Sequence, residues 1–480
     1  MKTKYTKLYE IQQIYGFSIL KPLSLVLSLF SAIVLACREW DSPHFAIVML
    51  PAVFLLTALL FDYNKNVKGL GSFIVVIAYL LRFTVFPVII SLGSYRTDVE
   101  ESVYLPYFDQ ACVIMIIELL AVFLLLSWLG TRSYRKHRAE AENVRQNASE
   151  NPRKYKSVKA IIFVLLAYVL FVAFCFPQLF TTYWRIIFFM GDSFARLERL
   201  NALISQIPGI IYYPFKYSAE LLHYLIPIYL VARVNHSRLT VAQKWAVTLL
   251  IAIAAFSVLT SEQINSIIVV LCIVIYMLVS HKQSSKIIVP LGVVGAAFVS
   301  VFVLKNIANV FDVGSLGRIL NNYFEGPINV ALSVHMKVHS DLGIGGFFAD
   351  IVKNIPVLER LVSHPDLNIM FGDEYGMPGA IIPMSGYGFY YFGYIGSCLP
   401  ALAVVLAVNW FDELQRKSRS GIGKLIMYVC TVHLSLSVFM YTLCIVYANI
   451  IPFFLPMLIV RYFAENRRIV CNVPSMQYAS

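Results

Sequence analysis

Charge is scarce in this chain. Only 14% of its 480 residues are Asp, Glu, Lys or Arg, against roughly a quarter in soluble domains, and that excludes an ordinary water-soluble globule. Other things are missing as well. None of the eight cysteines is spaced Cys-x-x-Cys, so neither a disulfide framework nor a zinc site is expected. There is no Asp-x-Asp cluster, no Gly-rich phosphate loop and no nucleophile elbow, so a nucleotide or nucleotide-sugar donor has nothing to hold it. His335 and His339 have the spacing of two ligands on one helix face. The acidic partner of a His-Glu-x-x-His helix is absent, so no metal is expected there. No internal repeat and no low-complexity tract is present.

What the chain has is apolar surface. It is 59% hydrophobic with a mean hydropathy of +0.71, which over this length describes a polytopic membrane protein. A span needs about 20 mainly apolar residues. Twelve runs qualify: 20–37, 43–61, 72–92, 110–129, 159–177, 212–232, 245–260, 264–280, 287–304, 386–408, 425–445 and 446–463. The expected fold is an all-α polytopic membrane protein of about 12 transmembrane helices, one transmembrane domain over residues 1–480. With the N-terminus inside, 27 Lys and Arg fall in inner segments and 10 in outer ones. That bias puts both termini in the cytoplasm. The largest block is a basic cytoplasmic loop, 130–159, that suits anionic lipid. The net charge of +12 is therefore read as membrane orientation, and no nucleic acid is expected.

Two outer segments exceed turn length. Residues 178–211 read as an amphipathic interfacial helix. The second, 305–385, is the large extracytoplasmic loop. Leu316, Ile319, Leu320, Tyr323 and Phe324 predict one apolar helical face. Gly326 ends that helix and Pro327 begins a second, with Ile328, Leu332, His335 and His339 in a stripe. Its candidates are Arg318, Glu325, His335, His339 and Arg360: Glu or His as a base, Arg to neutralise phosphate. Arg318 and Glu325, two turns apart, are placed about 10 Å from each other on one side. Asp373 and Glu374 read as chemistry or as a wet turn. Inside the spans, Arg82 must meet an acid, such as Glu118, or a phosphate. Lys216 and Glu220 are either an intrahelical pair or the wall of an outward cavity. Gly386 to Gly396 suits close helix packing.

Twelve spans, cytoplasmic termini and a large outer loop before the tenth span resemble the Wzy-type oligosaccharide repeat-unit polymerases of O-antigen and capsule assembly. Asn322-Tyr-Phe-Glu-Gly-Pro-Ile-Asn329 is similar to that family's Tyr-Phe-x-Gly-Pro-x-Asn stretch, and Tyr387 to Gly396 to its Gly-rich entry into the next span. Arg82 followed by Pro87 is similar to its third span. Ser261-Glu262-Gln263 departs from the arginine often found at that hairpin. The resemblance implies a GT-C-like glycosyltransferase of the bacterial inner membrane. It would join undecaprenyl-diphosphate-linked oligosaccharides into capsular or lipopolysaccharide polymer, without metal or cofactor. Expected partners are the lipid-linked glycan, membrane lipids, and a chain-length regulator and flippase of the same pathway. Glu325 or His335 would act as base with Arg318. Arg82, Arg360, Lys216, Glu220, Tyr323 and Asn329 would contact substrate. An O-antigen ligase and a flippase or other transporter are the competing readings.

Overall fold

The computed structural model describes residues 17–67, 69–140, 155–179, 185–186, 202, 206–259, 263–281, 312–324, 326–355, 358, 361–363, 366–377, 380–418, 420–440 and 443–465. Among them the chain is helical apart from one two-residue antiparallel pairing, Arg185–Ile186 with Val258–Leu259. Six helices are long and apolar enough to cross a membrane: Leu20–Glu39, Leu70–Leu92, Glu101–Arg132, Lys156–Cys175, Gly421–Val438 and Leu443–Glu465. The chain is a membrane protein by that criterion.

Among the described residues six of the expected twelve runs meet that test, or seven if Met384–Gly396 and Leu399–Lys417 count as one span bent by 103°. The 386–408 run is broken where Gly393 takes φ +69, a conformation that only glycine adopts cheaply. Pro400 then sits at the second position of the following helix. The runs 43–61, 245–260 and 264–280 give shorter apolar helices, Phe45–Leu60, Val241–Ser257 and Asn265–Leu278. The run 212–232 lies within the 27-residue helix Gly209–Asn235, which also carries Lys216, Glu220 and Arg233 and is not one of the six. The run 287–304 and most of 178–211 lie outside the described residues. The basic loop begins later than expected, because helix Phe108–Glu140 continues ten residues past 130.

The chain divides into two compact units, one of residues 1–146, 290–413 and 431–451 and the other of 147–289, 414–430 and 452–480. In the first, Phe17–Glu39 packs on Met49–Leu60, and Pro327–His339 packs on Phe108–Glu140 and Met384–Gly396. Phe54, Phe61, Tyr79, Phe83 and Phe123 interlock in its core through edge and stacked contacts. Leu70–Leu80 continues through a π turn, Leu81–Val85, into Phe86–Leu92. Pro87 accounts for the turn, because it lacks an N–H and its ring crowds the carbonyl one turn back. In the second unit, Val169, Val172, Tyr212, Phe215, Ala219 and Leu222 form the centre. There His223 Nε2 and Ser266 Oγ are 3.1 Å apart.

The start of Leu70–Leu80 shows how the first unit satisfies buried backbone. Gly71 and Ser72 donate their N–H groups to the buried carboxylate of Asp412 at 3.0 and 3.2 Å. A Cβ on Gly69 would fall 2.1 Å from that carboxylate, so the approach requires glycine. Asp412→Ala strands two helix-start donors. It should lower stability in detergent by about 1–2 kcal/mol, read as thermal unfolding, with Asp412→Asn less damaging.

Candidate functional site

Arg82 is the first candidate to place. Its side chain is buried in the π turn, and Nη1 lies 2.7 Å from Glu118 Oε1. Nη2 donates to Ser385 Oγ at 3.1 Å, and Tyr79 donates its hydroxyl to the same Glu118 oxygen. The guanidinium also faces the Phe83 ring at 5.6 Å. Of the two partners open to Arg82 in the sequence, the carboxylate holds it. A buried pair of this kind owes its survival to such extra hydrogen bonds.

The segment from Asp312 onward is built less on charge than on amides and small residues. Helix Val313–Tyr323 is capped by Asp312, whose side chain accepts from Gly314 N–H. Its buried positions are Gly314, Gly317, Leu320 and Asn321. The expected face is thus rotated, and Leu316 stands exposed. Glycine drives the change, since a Cβ on Gly317 would lie 3.3 Å from Ile90 Cα. The helix ends at Tyr323. Glu325 and Arg360 lie outside the described residues, as does the side chain of Tyr323.

Gly326 and Pro327 start helix Pro327–His339 as expected. The amides around them close the junction. Asn321 Nδ2 donates to Asn329 Oδ1 at 2.8 Å, and Asn321 Oδ1 accepts from Ile328 N–H at 3.1 Å. Asn329 Nδ2 reaches the carbonyls of Asn322 and Ile381. Asn329 is fully buried and works as a structural amide. Gly386 lets helix Met384–Gly396 approach closely, since a Cβ there would be 2.4 Å from Ser333 Oγ.

The stripe on Pro327–His339 runs from core to surface. Ile328 and Leu332 are buried, His335 is half-buried and His339 exposed. The two imidazoles stack with centroids 4.1 Å apart. His335 Nδ1 is 2.8 Å from the Tyr375 hydroxyl, which itself donates to the Leu332 carbonyl at 2.9 Å. A phenol has one proton. With that proton on the carbonyl, the oxygen accepts from Nδ1–H, and the lone pair of His335 is fixed on Nε2. Tyr107 packs edge-on to the ring at 5.6 Å. Glu374 is exposed beside it, at the end of helix Leu367–Glu374. The patch thus combines an oriented imidazole, a second imidazole, two tyrosines and a carboxylate.

Arg318 lies apart from that patch chemically. It pairs with Asp98 at 2.8 Å, both side chains well exposed, and Arg96, two residues before Asp98, pairs with Asp312. Exposed pairs contribute little to stability and exchange readily. The connection from Asp98 to Tyr107 joins this charged row to the imidazole patch. Lys216 and Glu220 are half-buried on Gly209–Asn235 in the other unit. Asp98, Tyr107 and Tyr375 had no periodicity or motif to mark them, because each acquires its role only through a contact distant in sequence.

This arrangement defines a helical membrane protein with a polar segment that presents an oriented histidine. No family model, no curated protein and no solved structure matches the chain.

Two outcomes follow from these contacts. Glu118→Leu leaves a buried guanidinium uncompensated and should destabilise by about 3–5 kcal/mol. Adding Arg82→Met should recover most of the loss in the same thermal-unfolding measurement. The second concerns pH. Burial, then the neighbouring His339 ring, holds the His335 pKa below 6.5, while Glu374 pulls it up. The unfolded chain therefore takes the proton more readily. The contribution of His335 to stability is intact above pH 6.5 and is lost as pH falls below it. Imidazole NMR should show its pKa falling further in Glu374→Gln and rising in His339→Gln.

Proposed function

We propose that this chain is a polytopic glycosyltransferase of the bacterial inner membrane. It polymerises undecaprenyl-diphosphate-linked oligosaccharide repeat units into O-antigen or capsular polysaccharide on the outer face. The observation that carries this reading is the Tyr375–His335 relay, which leaves Nε2 as a proton acceptor on a segment outside the apolar spans. Transfer from a lipid diphosphate needs little else. The acceptor hydroxyl oxygen attacks the anomeric carbon, and its proton passes to His335 Nε2. The bond from that carbon to the diphosphate oxygen breaks, and the electron pair leaves with the diphosphate. A neutral imidazole at pH 7 suits the first task. Arg318 suits the last, because its exposed pairing with Asp98 can exchange for a phosphate oxygen. Tyr107 and Tyr375 offer faces on which a sugar ring can stack. Arg82 belongs to the bundle in this scheme and not to the diphosphate.

The test is a reconstituted assay. Protein in liposomes is given lipid-linked repeat units, and the products are resolved by length. Wild type should give a ladder of polymer. His335→Ala should slow it roughly 10²–10⁴-fold, at unchanged membrane abundance. Tyr375→Phe keeps the ring but loses the acceptor hydroxyl, and should slow it less. Movement of lipid-linked units across the bilayer with no ladder would replace this reading with transport. A full ladder from His335→Ala would remove the base.

A further inference from the structure

Helix Gly343–Asn354 carries a carboxylate that is wholly buried, that of Asp350. Its Oδ1 accepts from Leu367 N–H at 3.0 Å, and its Oδ2 accepts from Tyr391 Oη at 3.2 Å and Cys444 Sγ at 3.3 Å. Asp366 approaches from a third direction. Ligand-type atoms of Asp350, Asp366 and Cys444 all lie within 4.8 Å of one another. A second carboxylate this close to a buried one is repelled by it, and a cation bound between them would offset that repulsion.

We infer that Asp350, Asp366 and Cys444 form a binding site for one divalent cation of the zinc class. Four features favour the cation. The three residues come from three different elements: helix Gly343–Asn354, the cap of helix Leu367–Glu374, and helix Leu443–Ala448. One ion would join all of them. Oxygen and sulfur on a tetrahedral zinc, with bonds near 2.0 and 2.3 Å, stand about 3.5 Å apart. The Asp350 oxygen and Cys444 sulfur are already at 3.3 Å. The cap uses Asp366 Oδ1, which accepts from Asn368 N–H at 2.7 Å, so a second oxygen remains for a ligand. Finally, the buried Tyr387 side chain adjoins both Asp350 and Cys444, which puts a phenol oxygen beside the same groups.

The ligand set selects the ion. A thiolate with carboxylates suits zinc and similar borderline metals, whereas magnesium and calcium take oxygen alone. Binding replaces the thiol proton of Cys444, which leaves to solvent while sulfur bonds the metal. Nothing is oxidised or reduced. The ion is structural in this scheme. It pins the start of helix Leu367–Glu374, whose far end leads into Glu374 and Tyr375 beside His335.

The experiment reads binding, not sugar transfer, so it stands or falls apart from the proposed activity. Full-length protein in detergent is stripped with a chelator, then titrated with Zn²⁺ and separately with Co²⁺. The expected result is one equivalent of zinc, a higher unfolding temperature, and a near-ultraviolet thiolate-to-cobalt band. Cys444→Ser should abolish the band. Asp366→Asn, at a partly exposed position that disturbs folding least, should weaken affinity on the order of tenfold or more. Absence of the band in folded wild type overturns the site. So does zinc binding by Asp366→Asn equal to wild type, an outcome that holds even if Cys444→Ser fails to fold.

Discussion

A guanidinium placed among apolar helices has to be neutralised, and much of the first unit follows from how Arg82 is. Its partner Glu118 comes from Phe108–Glu140, and its second contact, Ser385, from Met384–Gly396. One side chain thereby fixes three helices in register. Leaving the charge unpaired would cost more than most single packing defects. The π turn at Leu81–Val85 belongs to the same arrangement, because the wider turn before Pro87 sets where the arginine emerges. Two of these helices, Phe108–Glu140 and Met384–Gly396, are also the platform on which Pro327–His339 lies.

The segment that carries His335 therefore inherits its position from buried polar contacts beneath it. The junction at Gly326 and Pro327 is closed by Asn321 and Asn329, two amides that satisfy each other and nearby backbone. Buried amides stabilise only when fully satisfied, and then they permit a single geometry. The consequence reaches the surface at His335. Its helix is buried on all sides from Gly326 to Val334, and its ring is then oriented by one tyrosine hydroxyl. By contrast, Arg318 and Asp98 stand in water, where two flexible side chains lose most of their attraction. The segment thus has an imidazole oriented by its neighbours and a cation in an exposed pair.

The sequence disclosed those parts of the fold that depend on local chemistry. Apolar runs, the Gly-Pro helix start and the need of Arg82 for a carboxylate all follow from residues close in the chain. Which apolar runs make one long unbroken helix did not, because hydropathy counts apolar residues and is blind to backbone breaks. Gly393 bends one run, and three others form helices too short for the test. The buried face of Val313–Tyr323 departs from the hydrophobic pattern for a related reason. A hydrophobic pattern weights Leu316 above Gly317, yet contact with Ile90 is made by the residue with no side chain. Asp98 and Tyr375 could not be found at all, since their partners are 220 and 40 residues away. For Asp350 a weak signal existed. It falls one turn after Gly346 and within a turn of Phe347, on the side of the helix that also turns inward. A lone carboxylate in register with small and aromatic residues is a reason to look for what it meets.

Helix Leu367–Glu374 links these observations. It is eight residues long, about 12 Å from end to end, so its ends cannot move independently. Its first turn is tied to Asp350 through Leu367 N–H and capped by Asp366. Its last residue precedes Tyr375, which fixes the tautomer of His335. Anything that strengthens the buried end therefore sharpens the geometry at the exposed one. Phe371 adds a packing link between them, with its ring 5.3 Å from that of Tyr375. A site assembled this way does not need its polar groups to be strong. It needs them to be held, and here the holding is done from beneath by a carboxylate that never reaches water.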